Sequence, residues 1–114
     1  MPSSGKTRSP KGHPFLGIWR ITKSEDLEEE HLRLLGPAVL EFSKDHLGDL
    51  RFGALEAQLD WRADESLIEF TFRGFEEGDE VCGRGKASLG DEGVLRGKLL
   101  YFMGDEFRFQ AEHV

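Results

Sequence analysis

The sequence predicts an all-β domain, a small antiparallel up-and-down barrel of seven or eight strands with one short helix after the first strand. From Pro14 onward the apolar residues come in short runs, several of them alternating with polar residues at the period of two that a half-buried strand requires. Clusters of Gly, Asp and Glu separate these runs at the spacing of tight connections. Nine Phe, two Trp and one Tyr supply bulky core side chains, although only 38% of the chain is apolar. A chain of 114 residues has room for one hydrophobic core, and closing a long meander into a barrel removes its exposed edges.

Residues 1–13, MPSSGKTRSPKGH, have no hydrophobic periodicity and read as a disordered basic tail, leaving 14–114 as a single barrel domain. The first strand is Phe15 to Thr22, with Phe15, Gly17, Trp19 and Ile21 sharing one face. Ser24 to Leu35 is the helical segment, with Ser24 or Asp26 as N-cap and Leu27, His31, Leu34 and Leu35 on one side. Ala38 to Ser43 places Ala38, Leu40 and Phe42 inward and stops at a turn over Asp45, His46, Leu47 and Gly48. Leu50, Phe52 and Ala54 follow on one face, and then the parity changes to Leu55, Ala57, Leu59 and Trp61. A one-residue slip reverses a strand's faces, so a bulge or a turn must lie near Gly53.

After a turn over residues 63–66, Ile68, Phe70 and Phe72 face inward on the next strand. The last three strands are Glu80 to Leu89, Gly93 to Phe102 and Glu106 to His113. Their inward sets are Val81, Gly83, Gly85 and Ala87, then Leu95, Gly97, Leu99 and Tyr101, then Phe107, Phe109 and Ala111. Gly83, Gly85 and Gly97 on neighbouring inner faces leave space that Trp19 and Trp61 fill from across the barrel, or that a ligand occupies. The many large inward side chains favour filling. If a ligand site exists, Trp61, Gly83, Gly97 and Tyr101 line it, with Glu80, Arg84 and Asp105 at the barrel mouth.

Little else in the sequence points to chemistry. Gly-Asp-Glu occurs at 78–80, 90–92 and 104–106, but hairpin turns need Gly and Asp for backbone reasons, and the spacing of a calcium loop is missing. His13, His31, His46 and His113 are scattered without zinc-ligand spacing, and Cys82 and the serines lack a nucleophile motif. Gly83-Arg84-Gly85 is too short for a phosphate loop and no helix follows it. No catalytic residue, metal or cofactor is therefore assigned.

The chain carries a net charge of -7. Lys6, Arg8 and Lys11 lie in the tail, so residues 14–114 hold 12 basic against 22 acidic residues, or -10. That field opposes a phosphate backbone, and no nucleic-acid partner is expected. A single cysteine cannot form an intrachain disulfide, the N-terminus lacks the apolar core of a signal peptide, and no apolar run is long enough to span a bilayer as a helix. The expectation is a soluble cytoplasmic protein with no membrane partner.

Gly17-Ile18-Trp19 on the first strand, with Arg108 on the last, resembles the sparse signature of the calycins, the lipocalin and fatty-acid-binding barrels. That resemblance implies a calycin-like barrel closed between first and last strands, with Trp19 near one end and the Arg108 side chain over it. The stretch from about Pro14 to Glu112 also resembles a group of short uncharacterised bacterial proteins. The shared motifs are G-x-W-R-I at Gly17–Ile21, F-G-A at Phe52–Ala54, G-D-E at Gly78–Glu80, G-R-G at Gly83–Gly85 and a late G-D at Gly104–Asp105. This second resemblance implies a bacterial, cytoplasmic origin and supplies no mechanism.

A compact barrel without a recognisable catalytic set reads first as a non-enzymatic binding or accessory module for a protein or a small apolar ligand. The alternatives are a small enzyme using Glu80, Asp105 and Arg84 at the barrel mouth, and a homodimeric interaction protein using outward Leu100 and Phe102. Monomer and homodimer both remain open on the sequence.

Overall fold

A computed structural model describes residues 13–114 of the chain. Eight strands follow one another in these residues: β1 (Gly17–Lys23), β2 (Val39–Phe42), β3 (Leu47–Phe52), β4 (Leu55–Ala63), β5 (Leu67–Glu76), β6 (Asp79–Leu89), β7 (Val94–Tyr101) and β8 (Glu106–His113). Each pairs antiparallel with its neighbour in sequence, and β1 pairs with β8 through Trp19 opposite His113 and Ile21 opposite Ala111. The sheet is thus a closed up-and-down barrel, as the alternating runs and short connections predict. No helix among the described residues is long and apolar enough to cross a membrane.

Strand parity sets the core. Trp19, Ile21, Leu40, Phe42, Leu50, Phe52, Leu59, Trp61, Ile68, Phe70, Phe72, Leu95, Leu99 and Phe109 are all buried, and they belong to the inward sets read from the sequence. The parity change near Gly53 is a turn and not a bulge. Phe52 pairs with Leu55 across a two-residue loop, and Gly53 at its first central position has φ +62, a value that glycine adopts without steric cost.

The turn expected over Asp45 to Gly48 is shifted. His46 takes the left-handed conformation at φ 69, and β3 has already begun at Leu47. Gly48 therefore lies inside a strand, opposite Phe42, where a Cβ would collide with the Glu41 carbonyl.

The helix is also much shorter than expected. Only α1 (Glu29–Leu32) is helical, with Glu28 as an N-cap that makes no side-chain capping bond. Ser24 and Asp26 are not caps. Ser24 forms an isolated bridge with Leu27 around a turn at Glu25 and Asp26, and both Ser24 and Asp26 bond to Arg108 on β8, so the helix starts only at Glu29. Of the expected apolar face only Leu27 packs against the core, half-buried; Leu32 is buried in place of His31, Leu34 and Leu35, which are exposed. Leu32 joins the core where its carbonyl accepts the Gly53 N–H at 3.0 Å, beside the β3–β4 turn.

At the opposite end the core is closed by aromatic rings. Phe42 meets Trp61 edge-on at 5.7 Å, and the Trp61 indole N–H donates to the Ser43 and Leu47 carbonyls at 3.0 and 3.1 Å, holding the β2–β3 turn against the barrel. His13, placed in the tail by the sequence reading, is buried here, stacked on Phe15 at 5.2 Å and near Trp61 at 5.8 Å. The rest of the expected tail, residues 1–12, lies outside the described residues.

Candidate functional site

The residues singled out from the sequence do not converge on one site. Trp61 is buried at the end closed by His13 and Phe42. Gly83 and Tyr101 are cross-strand partners on the inner face of β6 and β7. Gly97 stands opposite Ala87 and Phe109, farther along the barrel. Arg84 and Glu80 point outward from β6, and Asp105 lies in the turn before β8. Glu80 lies four residue steps from Arg84, about 13 Å along the strand, too far for an acid and a cation to act together.

The space above the inner glycines is occupied by the chain itself. Phe70 lies directly across from Gly85 and Phe72 from Gly83. A Cβ on Gly83 would stand 2.7 Å from the Phe72 ring, and one on Gly85 would collide with the Phe70 ring. A Cβ on Gly97 would run into the Lys86 carbonyl and the Ala87 side chain. Each phenyl ring thus folds across the neighbouring strand to cover a glycine that has no side chain of its own. The filling groups are Phe70 and Phe72 from the adjacent strand, and not Trp19 and Trp61 from across the barrel.

Trp19 and Arg108 do not form the calycin-like pair that the resemblance implies. The Trp19 ring meets His113 edge-on at 4.8 Å and donates its indole N–H to the Phe15 carbonyl at 2.8 Å. Arg108 sits five residues before His113 on β8, roughly 16 Å along the strand, and faces outward. Its guanidinium pairs with Glu25 at 2.9 Å and Asp26 at 3.3 Å. Barrel closure is real, but backbone pairing of β1 with β8 makes it, without a cation on the indole.

One further inward group stands out at the α1 end. Tyr101 packs edge-on against Phe72 and Phe107, each at 5.4 Å. Burial, reinforced by the nearby Glu76 carboxylate, raises its hydroxyl pKa well above the ordinary value of 10.0. The Glu76 Oε1 atom is itself shielded from solvent.

Open space lies on the outer wall instead. A cleft of ≈ 820 Å³ crosses the outer faces of β4 to β7. The short Thr71 and Cys82 side chains leave a depression between the longer Arg73, Arg84, Leu100 and Phe102. It continues into a cleft of ≈ 600 Å³ that adds Lys86 and Lys98. Phe102 is 70% exposed and Met103, at the cleft margin, 90% exposed. In the sequence Arg84, Leu100 and Phe102 stand apart. The register unites them, because Arg84 pairs with Leu100 and the Phe102 N–H donates to the Cys82 carbonyl at 2.8 Å.

The wall has an uneven charge distribution. Lys86, Lys98 and Arg108 stand side by side on three neighbouring strands, an arrangement of like charges that disfavours the sheet unless anions relieve it. Glu106 sits on Lys98 at 3.0 Å, and Glu25 and Asp26 hold Arg108. Among the described residues no carboxylate lies within 4.0 Å of the cationic groups of Arg73, Arg84 or Lys86. No protein-family model, curated protein or solved structure matches the chain.

Proposed function

We propose that this chain is a calycin-like, non-enzymatic binding module that recognises a protein partner with the outer wall of β5 to β7. The observation that carries the reading is the exposure of Phe102 and Met103 beside an ≈ 820 Å³ cleft, while the inner glycines are covered by Phe70 and Phe72. Large apolar groups exposed next to polar walls are characteristic of protein-binding surfaces, and a pocket for a small apolar ligand needs interior space. An exposed free thiol at Cys82 fits a reducing compartment, in keeping with a bacterial cytoplasmic protein.

A homodimer through Leu100 and Phe102 is the second reading, motivated by the same exposed side chains. A two-fold axis close to Arg84 and Lys86 would bring like charges together, whereas a complementary partner can bring anions to both.

A photoactivatable phenylalanine analogue at position 102, with position 18, exposed on β1, which pairs with no strand of the wall, as control, tests both readings in host cells. A discrete product larger than the chain from position 102 alone supports a partner on this wall. A product of twice the chain mass supports the homodimer. Equal or no products from the two positions overturn the proposed wall.

A further inference from the structure

We infer that the wall takes an extended peptide segment with one apolar residue followed by two acidic residues at alternate positions, an inference that rests on the protein-binding reading above. The order of the side chains along β6 and β7 carries it. Three successive outward rows cross these strands. The first holds Arg73, Cys82 and Phe102; the second holds Thr71, Arg84 and Leu100, with Asp60 beyond Thr71 on β4; the third holds Glu69, Lys86 and Lys98. Along β6 and β7 the side chains thus pass from Cys82 and Phe102 to Lys86 and Lys98, while Glu69 flanks Lys86 from β5.

Row spacing sets the period of the ligand. Outward residues two apart on a strand are separated by about 6.6 Å, which is also the spacing of every second side chain in an extended peptide. A segment lying along β6 with an apolar side chain on Phe102 thus brings its second following residue to Arg84 and its fourth to Lys86. Lys98 already has Glu106 as a partner, whereas Arg73, Arg84 and Lys86 have no carboxylate at ion-pair distance among the described residues. A carboxylate in the second position would reach Arg84, which has Thr71 and Leu100 as its cross-strand neighbours, and one in the fourth would join Glu69 at Lys86.

The recognition is by side chains. Every barrel strand is paired on both sides along the cleft, so the peptide cannot add itself as another strand. Guanidinium and ammonium groups on exposed walls bind carboxylates at modest strength, and Phe102 and Met103 provide the apolar anchor that ions alone lack. A nucleic acid offers anions too, but residues 14–114 carry -10 even with the wall's cations counted, so a long polyanion is repelled beyond the wall, while a short segment is not.

The test uses the full chain, ¹⁵N-labelled, and four probes. These are a synthetic peptide with Phe-x-Glu-x-Glu spacing, a peptide of the same composition with the acids adjacent to each other, the Lys analogue, and a short single-stranded oligothymidylate. The inference expects amide shifts centred on Arg73, Cys82, Arg84, Lys86 and Leu100 with the first peptide. Its affinity should exceed that of the rearranged peptide by about fivefold or more and fall at least about tenfold in Arg84→Glu/Lys86→Glu, the scale on which opposed charges alter a weak contact. Both substitutions are outward, and an unchanged spectrum of the unbound variant establishes that its fold is intact. Equal binding of the two acidic peptides, stronger binding of the Lys analogue or the oligonucleotide, or no binding of any probe overturns the inference. If the position-102 cross-link nevertheless persists in Arg84→Glu/Lys86→Glu, the wall remains a protein-binding face and only the acidic-peptide assignment fails.

Discussion

Asp26 holds Arg108 by both backbone and side chain: its carboxylate accepts the Arg108 N–H at 2.7 Å and the guanidinium Nε and Nη2, each at 3.3 Å. Ser24 adds a hydroxyl bond to the Arg108 carbonyl. The strap leading to α1 is thereby fastened to β8, close to where Leu32 joins the core.

This fastening makes stability acid-sensitive. Hydrogen bonds from the Arg108 side chain and then its backbone lower the Asp26 pKa below 3.8. Backbone N–H groups of Ser66 and Leu67 do the same for Asp64. A depressed carboxylate pKa contributes stability that is present above the unfolded value and is lost as pH falls through the folded value. Urea midpoints should therefore drop as pH is lowered through and below 3.8. Asp26→Asn should lie below the parent at neutral pH and converge with it at the acid end. Parallel curves for the two proteins would remove Asp26 from the account.

Tyr101 is the only tyrosine, so its ionisation can be followed by absorbance without interference from another phenol. Burial, with Glu76 nearby, raises its pKa. A raised value means that its contribution is intact below pH 10.0 and is lost as pH rises through the folded pKa. The native protein should be far less than half ionised at pH 10.0, and urea-unfolded protein about half ionised. A native titration centred at the ordinary value would place the hydroxyl in water.

Much of this architecture is visible in the sequence because strand parity is a strict code. Trp61, Phe70 and Leu99 could be assigned inward without knowing which strands are neighbours, and their burial follows. Contacts set by register are different. Nothing local to Arg108 shows that Ser24 to Asp26 will reach it, so the calycin resemblance drew attention to Trp19 instead. The helix start is hidden for the same reason: acids and a serine before an apolar run look like an N-cap, but here the acids meet the Arg108 guanidinium and the serine hydroxyl donates to its carbonyl. The outer wall was legible only in fragments, because Arg84 and Phe102 become neighbours through the pairing of β6 with β7.

The β5–β6 turn offers a stabilising change. Glu76 pairs with Asp79 across Glu77 and Gly78, whose φ values of 53 and 87 are both positive, as a type I′ turn requires. Glycine accepts this conformation but glutamate is strained in it. Glu77→Asn should raise stability by about 0.5–1 kcal/mol, measured as a higher urea midpoint with an unchanged slope. An unchanged midpoint would show that the turn carries no strain at residue 77.

The pairing of Phe70 with Gly85 predicts a size-compensation experiment. Because the phenyl ring lies over the glycine, Gly85→Val should overpack the core and destabilise the barrel by about 1–3 kcal/mol. Phe70→Ala should cost about 3–5 kcal/mol by opening a cavity beside Gly85. The double substitution places the valine methyls in the volume vacated by the ring, so the two losses should not add. The combined loss should fall short of their sum by at least about 0.5 kcal/mol, the coupling expected of side chains in contact. Circular dichroism melts and urea titrations of the four proteins measure it. Additive losses would mean that the ring and the glycine are energetically independent. A neutral Gly85→Val would mean that the inner face of β6 holds open space, and it would return the small apolar ligand to first place among the functions of this barrel.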